Sequence, residues 1–140
     1  MARLDPRTGM TILDETTCWE LLSTADVCRL AVVVGDDLEI FPINAVVDGR
    51  TLVFSTGEGT KLAAVAIARS VAVEADGYDS ATQEAWSVVI KGAADRLEHF
   101  HDIEQAESLA LRSWSDHPKQ WFVRVTPRNV SGRRFAVARR

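Results

Sequence analysis

The chain has 140 residues, 46% of them apolar and 26% charged, with a net charge of −4. That length supports one domain with a real core, and no apolar run approaches the roughly 18 residues of a membrane span. Residues 128–140 carry five arginines and no acid, which leaves eleven basic against twenty acidic residues elsewhere; an acidic body of this kind argues against broad nucleic-acid binding.

Residues 1–13 read as an N-terminal arm interrupted by Pro6 and Gly9, and 14–140 as a single domain. The first residues hold no apolar stretch of signal-peptide length, so a cytoplasmic location is expected. Asp14 or Thr16 can cap a helix, Glu15 suits its first turn, and Cys18, Leu21 and Leu22 share one face. Cys18 and Cys28 fit no metal spacing and are expected as buried thiols. VCRLAVVV reads as a strand turned by Gly35-Asp36-Asp37. LEIFPINAVV follows as a second strand, in which Pro42 marks an edge, a bulge or the approach of another group. Asp48-Gly49 is a hairpin signal, and RTLVFST is the third strand.

A helix is expected over 60–69, with Leu62, Val65 and Ala66 on one face. SVAVEAD is the next strand, GYDSATQE a longer turn, and AWSVVIKGAADRLE a strand with a bulge at Gly92. The spacing of Ile103, Ala106, Leu109 and Ala110 predicts a third helix over 102–113, with Pro118 ending that region. QWFVRVT and NVSGRRFAV read as two closing strands with Pro127 at their turn. The sum is mainly β with flanking helices: six or seven largely antiparallel strands in a barrel or sandwich.

One junction carries chemistry. In FSTGEGTKLAAV, residues 54–65, a strand ends in hydroxyls and glycines and a lysine opens a helix. Free N–H groups, a close-approaching backbone, hydroxyl donors and a cation together suit a phosphate. The order is not that of a Walker loop. An ordinary capped turn accounts for the same residues, and Glu58 favours it, because a carboxylate pointing inward would repel a phosphate. His99 and His101 read as surface residues before a helix, so no metal is expected. Trp114 and Trp121 read as core or interface residues, and His117 as a loop residue. No nucleophile–base set and no carboxylate pair stands out. If the chain is an enzyme, a cofactor carries the chemistry.

Four segments in order, LAVVV, IFPINAVVDG, LVFSTGEGTKL and EAWSVVIKGAA, resemble the FMN-binding split barrels, short relatives of pyridoxamine 5′-phosphate oxidase. The likeness extends to the pattern from Trp121 to Arg134. It implies an antiparallel split β-barrel and a homodimer with FMN at the subunit interface. Pro42, Ile43 and Asn44 would lie along the isoalloxazine edge, largely through backbone groups. Ser55 and Thr56 would end a strand at the ribityl phosphate, and Thr60 and Lys61 would hold it. Trp86, Ser87 and Val88 would approach from the partner subunit. The implied activity is flavin-dependent oxidoreduction of a small molecule. The sequence departs from the pattern where Ser55 and Thr60 stand at or near positions that are arginine in many relatives, which leaves the phosphate to Lys61, helix N–H groups and hydroxyls unless Arg133 or Arg134 helps. It also lacks the C-terminal arginine-x-histidine pair of the true oxidase, so pyridoxamine phosphate is not the expected substrate. A flavin-binding module without turnover, and F420 or haem in the same fold, are the alternative readings.

Overall fold

The computed structural model describes residues 3–65, 67–109 and 120–137. The elements in chain order are β1 (Arg3–Leu4), β2 (Thr11–Ile12), α1 (Glu15–Leu22), β3 (Cys28–Val34), β4 (Asp37–Ile43), β5 (Ala45–Asp48), β6 (Thr51–Gly57), α2 (Lys61–Val65), β7 (Val71–Asp79), β8 (Glu84–Arg96), α3 (Phe100–Ser108) and β9 (Gln120–Ala136). Every pairing is antiparallel.

Seven strands form a continuous path, β4-β3-β7-β8-β9-β6-β5. Its two end strands, β4 and β5, are separated in the chain by Asn44 alone and do not pair with each other. The sheet must therefore curl until its ends meet, leaving a seam at Asn44. That is the split barrel the resemblance implies. Pro42 lies on β4, which pairs only with β3, so its missing N–H costs no ladder bond on the open side. The expected arm contributes the hairpin β1–β2, and β2 adds to β9 at Arg133 and Arg134.

The two closing strands expected around Pro127 are one strand, β9. The pairing with β8 steps by one residue, from Lys91 opposite Asn129 to Gly92 opposite Pro127. The extra residue is Arg128, so proline sits at a bulge and the strand continues through it. The guanidinium of Arg128 donates to the Arg69 carbonyl at 2.9 Å and reaches Ser70 Oγ at 3.3 Å, which ties the bulge to the neighbouring loop.

The barrel interior is filled by Leu30, Phe54, Val73, Ile90, Val123 and Val125, all fully buried. Helix α1 covers it with Cys18, Trp19 and Leu22; Asp14 caps the helix by accepting from the Thr17 N–H at 2.8 Å. Both cysteines are free and buried. Burial pushes the Cys28 thiol up to about 11, which keeps it protonated and unreactive at neutral pH. Helices α2 and α3 are shorter than the periodicity suggests. The expected helix over 60–69 spans Lys61–Val65, and α3 begins at Phe100. Trp114, His117 and the last residues of the expected third helix lie outside the described residues.

Candidate functional site

The strand β6 ends at the hydroxyl-rich junction. Thr60 Oγ1 accepts from the Ala63 N–H at 3.0 Å and donates to the Gly57 carbonyl at 2.8 Å. Thr56, itself buried, shares a hydrogen bond with Thr60 at 3.1 Å between the two hydroxyls. Two of the four expected phosphate contacts are thus committed to holding the turn. The five residues of α2 also make a weak macrodipole. Among the described residues, the half-buried Ser55 hydroxyl has no hydrogen bond, and it remains available. Glu58 is exposed.

Lys61 is available in a different way. Its Nζ lies 2.6 Å from Glu39 Oε1 on β4, while its side chain stays 65% exposed. This contact joins the junction to the edge strand that carries Pro42. The seam completes the cluster: Ala45 pairs with Phe54, which places Asn44 next in register to Ser55. Pro42 is exposed, Ile43 is 3% exposed, and Ile43 pairs with Cys28, so Ile43 offers a ligand only its backbone.

Sequence reasoning missed three neighbours of this site. Glu39 is invisible because a strand residue and a helix residue twenty-two positions apart meet only through the barrel's curl. Trp121 pairs with Thr56, and its buried indole N–H has no acceptor among the described residues. Arg96 stacks on that indole, 3.9 Å from its centroid to the guanidinium carbon. An arginine–tryptophan pair twenty-five residues apart leaves no local signature.

Trp86, Ser87 and Val88 lie away from the Ser55–Lys61 junction. Ser87 pairs with Arg133, whereas Thr56 pairs with Trp121, so about 40 Å of β9 contour separates the two groups. One chain sets Asn44 beside Ser55 and keeps 86–88 away from Ser55–Lys61, while Pro42–Asn44 lie three strands from 87–89 across β3 and β7. Val88 is fully buried in the core, and Trp86 packs against that core with its indole across Gly77. Ser87 faces outward into a groove of about 540 Å³ whose walls include Glu74, Asp76, Tyr78, Arg133 and Phe135.

Glu74 is the perturbed group in this groove. Arg29 Nη1 bridges Glu74 at 3.2 Å and Asp76 at 3.1 Å, and Ser87 Oγ donates to Glu74 at 3.3 Å. Desolvation, then the hydrogen bond and charge of Asp76, hold the Glu74 carboxyl above its ordinary value despite Arg29 and Ser87. Such a group binds more protons folded than unfolded, so stability falls as pH rises from the ordinary carboxylate range through the raised value. Wild type is expected to lose stability relative to Glu74→Gln across that window, read by urea unfolding at stepped pH. A difference independent of pH would mean that Glu74 titrates alike in both states. Among the described residues no group of three His, Cys, Asp or Glu side chains is placed to hold a metal.

A family model described as pyridoxamine 5′-phosphate oxidase matches residues 14–134. The solved structure of the FAD binding protein from Mycobacterium smegmatis superposes with a TM-score of 0.80 at 40% identity, covering 90% of this chain and 98% of that one. A conserved protein of unknown function from Corynebacterium diphtheriae gives 0.78 at 35% identity, covering 94% and 100%. An uncharacterized protein of Mycobacterium tuberculosis is 39% identical over 89 residues, 64% of this chain and 79% of that protein. The family match begins at the cap of α1 and ends within β9, so it takes in the whole seven-strand path and its seam. The chain therefore belongs to the pyridoxamine 5′-phosphate oxidase family and has its split-barrel fold.

Proposed function

We propose that this protein binds the riboflavin 5′-phosphate moiety, as FMN or as part of FAD, in a homodimer, and uses it for redox chemistry on a small molecule. The observation that carries this reading is the convergence at the seam. Lys61, the uncommitted Ser55 hydroxyl and the Pro42–Asn44 backbone lie together. This donor set fits a phosphate next to a flat ring with a polar edge. The relative at 40% identity that is described as FAD binding supports a flavin over F420 or haem.

In this reading Lys61 and Ser55 hold the phosphate, and the backbone at Ile43 and Asn44 orients the ring edge. The bound flavin supplies hydride and electron transfer, which no side chain here provides. The second subunit is inferred from the β3–β4 hairpin, which exposes Val33, Leu38 and Ile40, at 61%, 80% and 66%, with Val33 opposite Leu38 and Ala31 opposite Ile40. An apolar strand face of this kind beside a ligand site suits burial against another copy.

The test is an absorption spectrum of the purified protein after addition of FMN or FAD and removal of excess, with light scattering on the same fraction. A retained, protein-shifted flavin band on a dimer is expected. No retained band with either flavin would overturn the reading and make F420 and haem the next ligands to titrate.

A further inference from the structure

Glu39 holds the charge that the phosphate reading needs. Its carboxylate sits 2.6 Å from Lys61 Nζ and is 25% exposed, the more buried partner of the pair. A phosphate arriving at Lys61 must share the ammonium with a fixed negative charge on the neighbouring strand. We propose that Glu39 is a specificity residue that disfavours a terminal phosphate dianion and so tilts the site from FMN towards FAD. This rests on the flavin reading above.

The physical basis is charge. A phosphate monoester carries about −1.5 to −2 near neutral pH, whereas each phosphate of a pyrophosphate diester carries a single charge. Repulsion from one carboxylate scales with that charge. The Lys61–Glu39 pair also has to loosen before either phosphate gains the full ammonium. Lys61 is mostly solvated, so the pair can open, and exposed ion pairs contribute about 0.2–1 kcal/mol. The corresponding change in affinity is at most about fivefold.

The experiment titrates riboflavin, FMN and FAD into wild type, Glu39→Gln and Glu39→Ala, following flavin fluorescence at fixed ionic strength. Riboflavin has the same ring and no phosphate. Both variants are expected to gain about three- to fivefold for FMN, less than twofold for FAD, and nothing for riboflavin. If FMN binds more tightly than riboflavin to wild type but neither variant changes the FMN-to-FAD ratio, the Glu39 role is overturned while the phosphate site stands. An equal change for all three ligands assigns Glu39 to the shape of the slot and overturns its charge role. FMN and riboflavin binding alike to every protein, or none of them binding, overturns the flavin–phosphate reading and Glu39's role with it.

Discussion

Lys61→Ala is expected to weaken FMN binding at least tenfold while leaving riboflavin binding unchanged. A hydrogen bond between an ammonium and a phosphate contributes about 1.5–3 kcal/mol, or roughly ten- to a hundredfold in affinity. Lys61 is largely exposed, which by itself places the loss near the lower end. The variant has a second consequence. In wild type, part of the ammonium is held by Glu39 and has to be released to the phosphate. Lys61→Ala in a Glu39→Gln background should therefore lose more than in wild type, a coupling that a double-mutant cycle reads directly. Folding stability should hardly move, because the pair lies on the surface and carries little net stabilisation. Unchanged FMN affinity in Lys61→Ala would remove the phosphate from this junction. Arg96, stacked on Trp121 across from Thr56, would then be a cation to test next.

The barrel was legible in the sequence wherever one strand's own pattern decides its structure. Alternating apolar residues, Asp48-Gly49 and Gly92 mark strands, a hairpin and a bulge without reference to anything distant. Pro42 could be narrowed to an edge, a bulge or the approach of another group, and the pairing of β4 with β3 alone shows the edge. The errors share one cause. Pro127 ends a strand by local rules, yet Arg128 takes up the irregularity as a bulge, and only the partner strand β8 reveals this. The expected helix over 60–69 has the right apolar spacing but keeps only one short stretch, Lys61–Val65, capped at its start by the Thr60 hydroxyl. At the site, the residue types in STGEGTK suggested phosphate chemistry, but which hydroxyls were free could not be read from them. Glu39, Arg96 and the Arg29–Glu74–Asp76 cluster depend on contacts between strands far apart in the chain, and composition does not encode those contacts.

Gly92→Ala is expected to destabilise the fold by about 3 kcal/mol or more, a large share of the 5–15 kcal/mol typical of a domain. A Cβ at Gly92 would collide with the Thr126 carbonyl oxygen and lie 2.9 Å from Pro127 Cα. These are backbone atoms of the paired strand, and they cannot turn aside as a side-chain end can. Gly132 gives the contrast. There the added Cβ meets Cys18 Sγ at 2.6 Å and the Leu13 and Val88 methyls at 3.3 Å, all side-chain atoms that can yield. Gly49 gives another, with nothing within 4 Å and only a φ of +62° to oppose a side chain; Gly49→Ala should cost about 1 kcal/mol. Urea midpoints for the three variants should fall in the order Gly92, Gly132, Gly49, with Gly92→Ala the least stable. Wild-type stability in Gly92→Ala would mean that the bulge is not built as described. The position matters beyond stability because the bulge sits between the two working halves of β9. Residues 120–125 pair with β6 beside the Ser55–Lys61 junction, and Arg133 pairs with Ser87 at the outward groove. Shifting the register at Gly92 would move one half against the other, so a Gly92→Ala protein that still folds should also bind flavin poorly, although Gly92 lies in neither site.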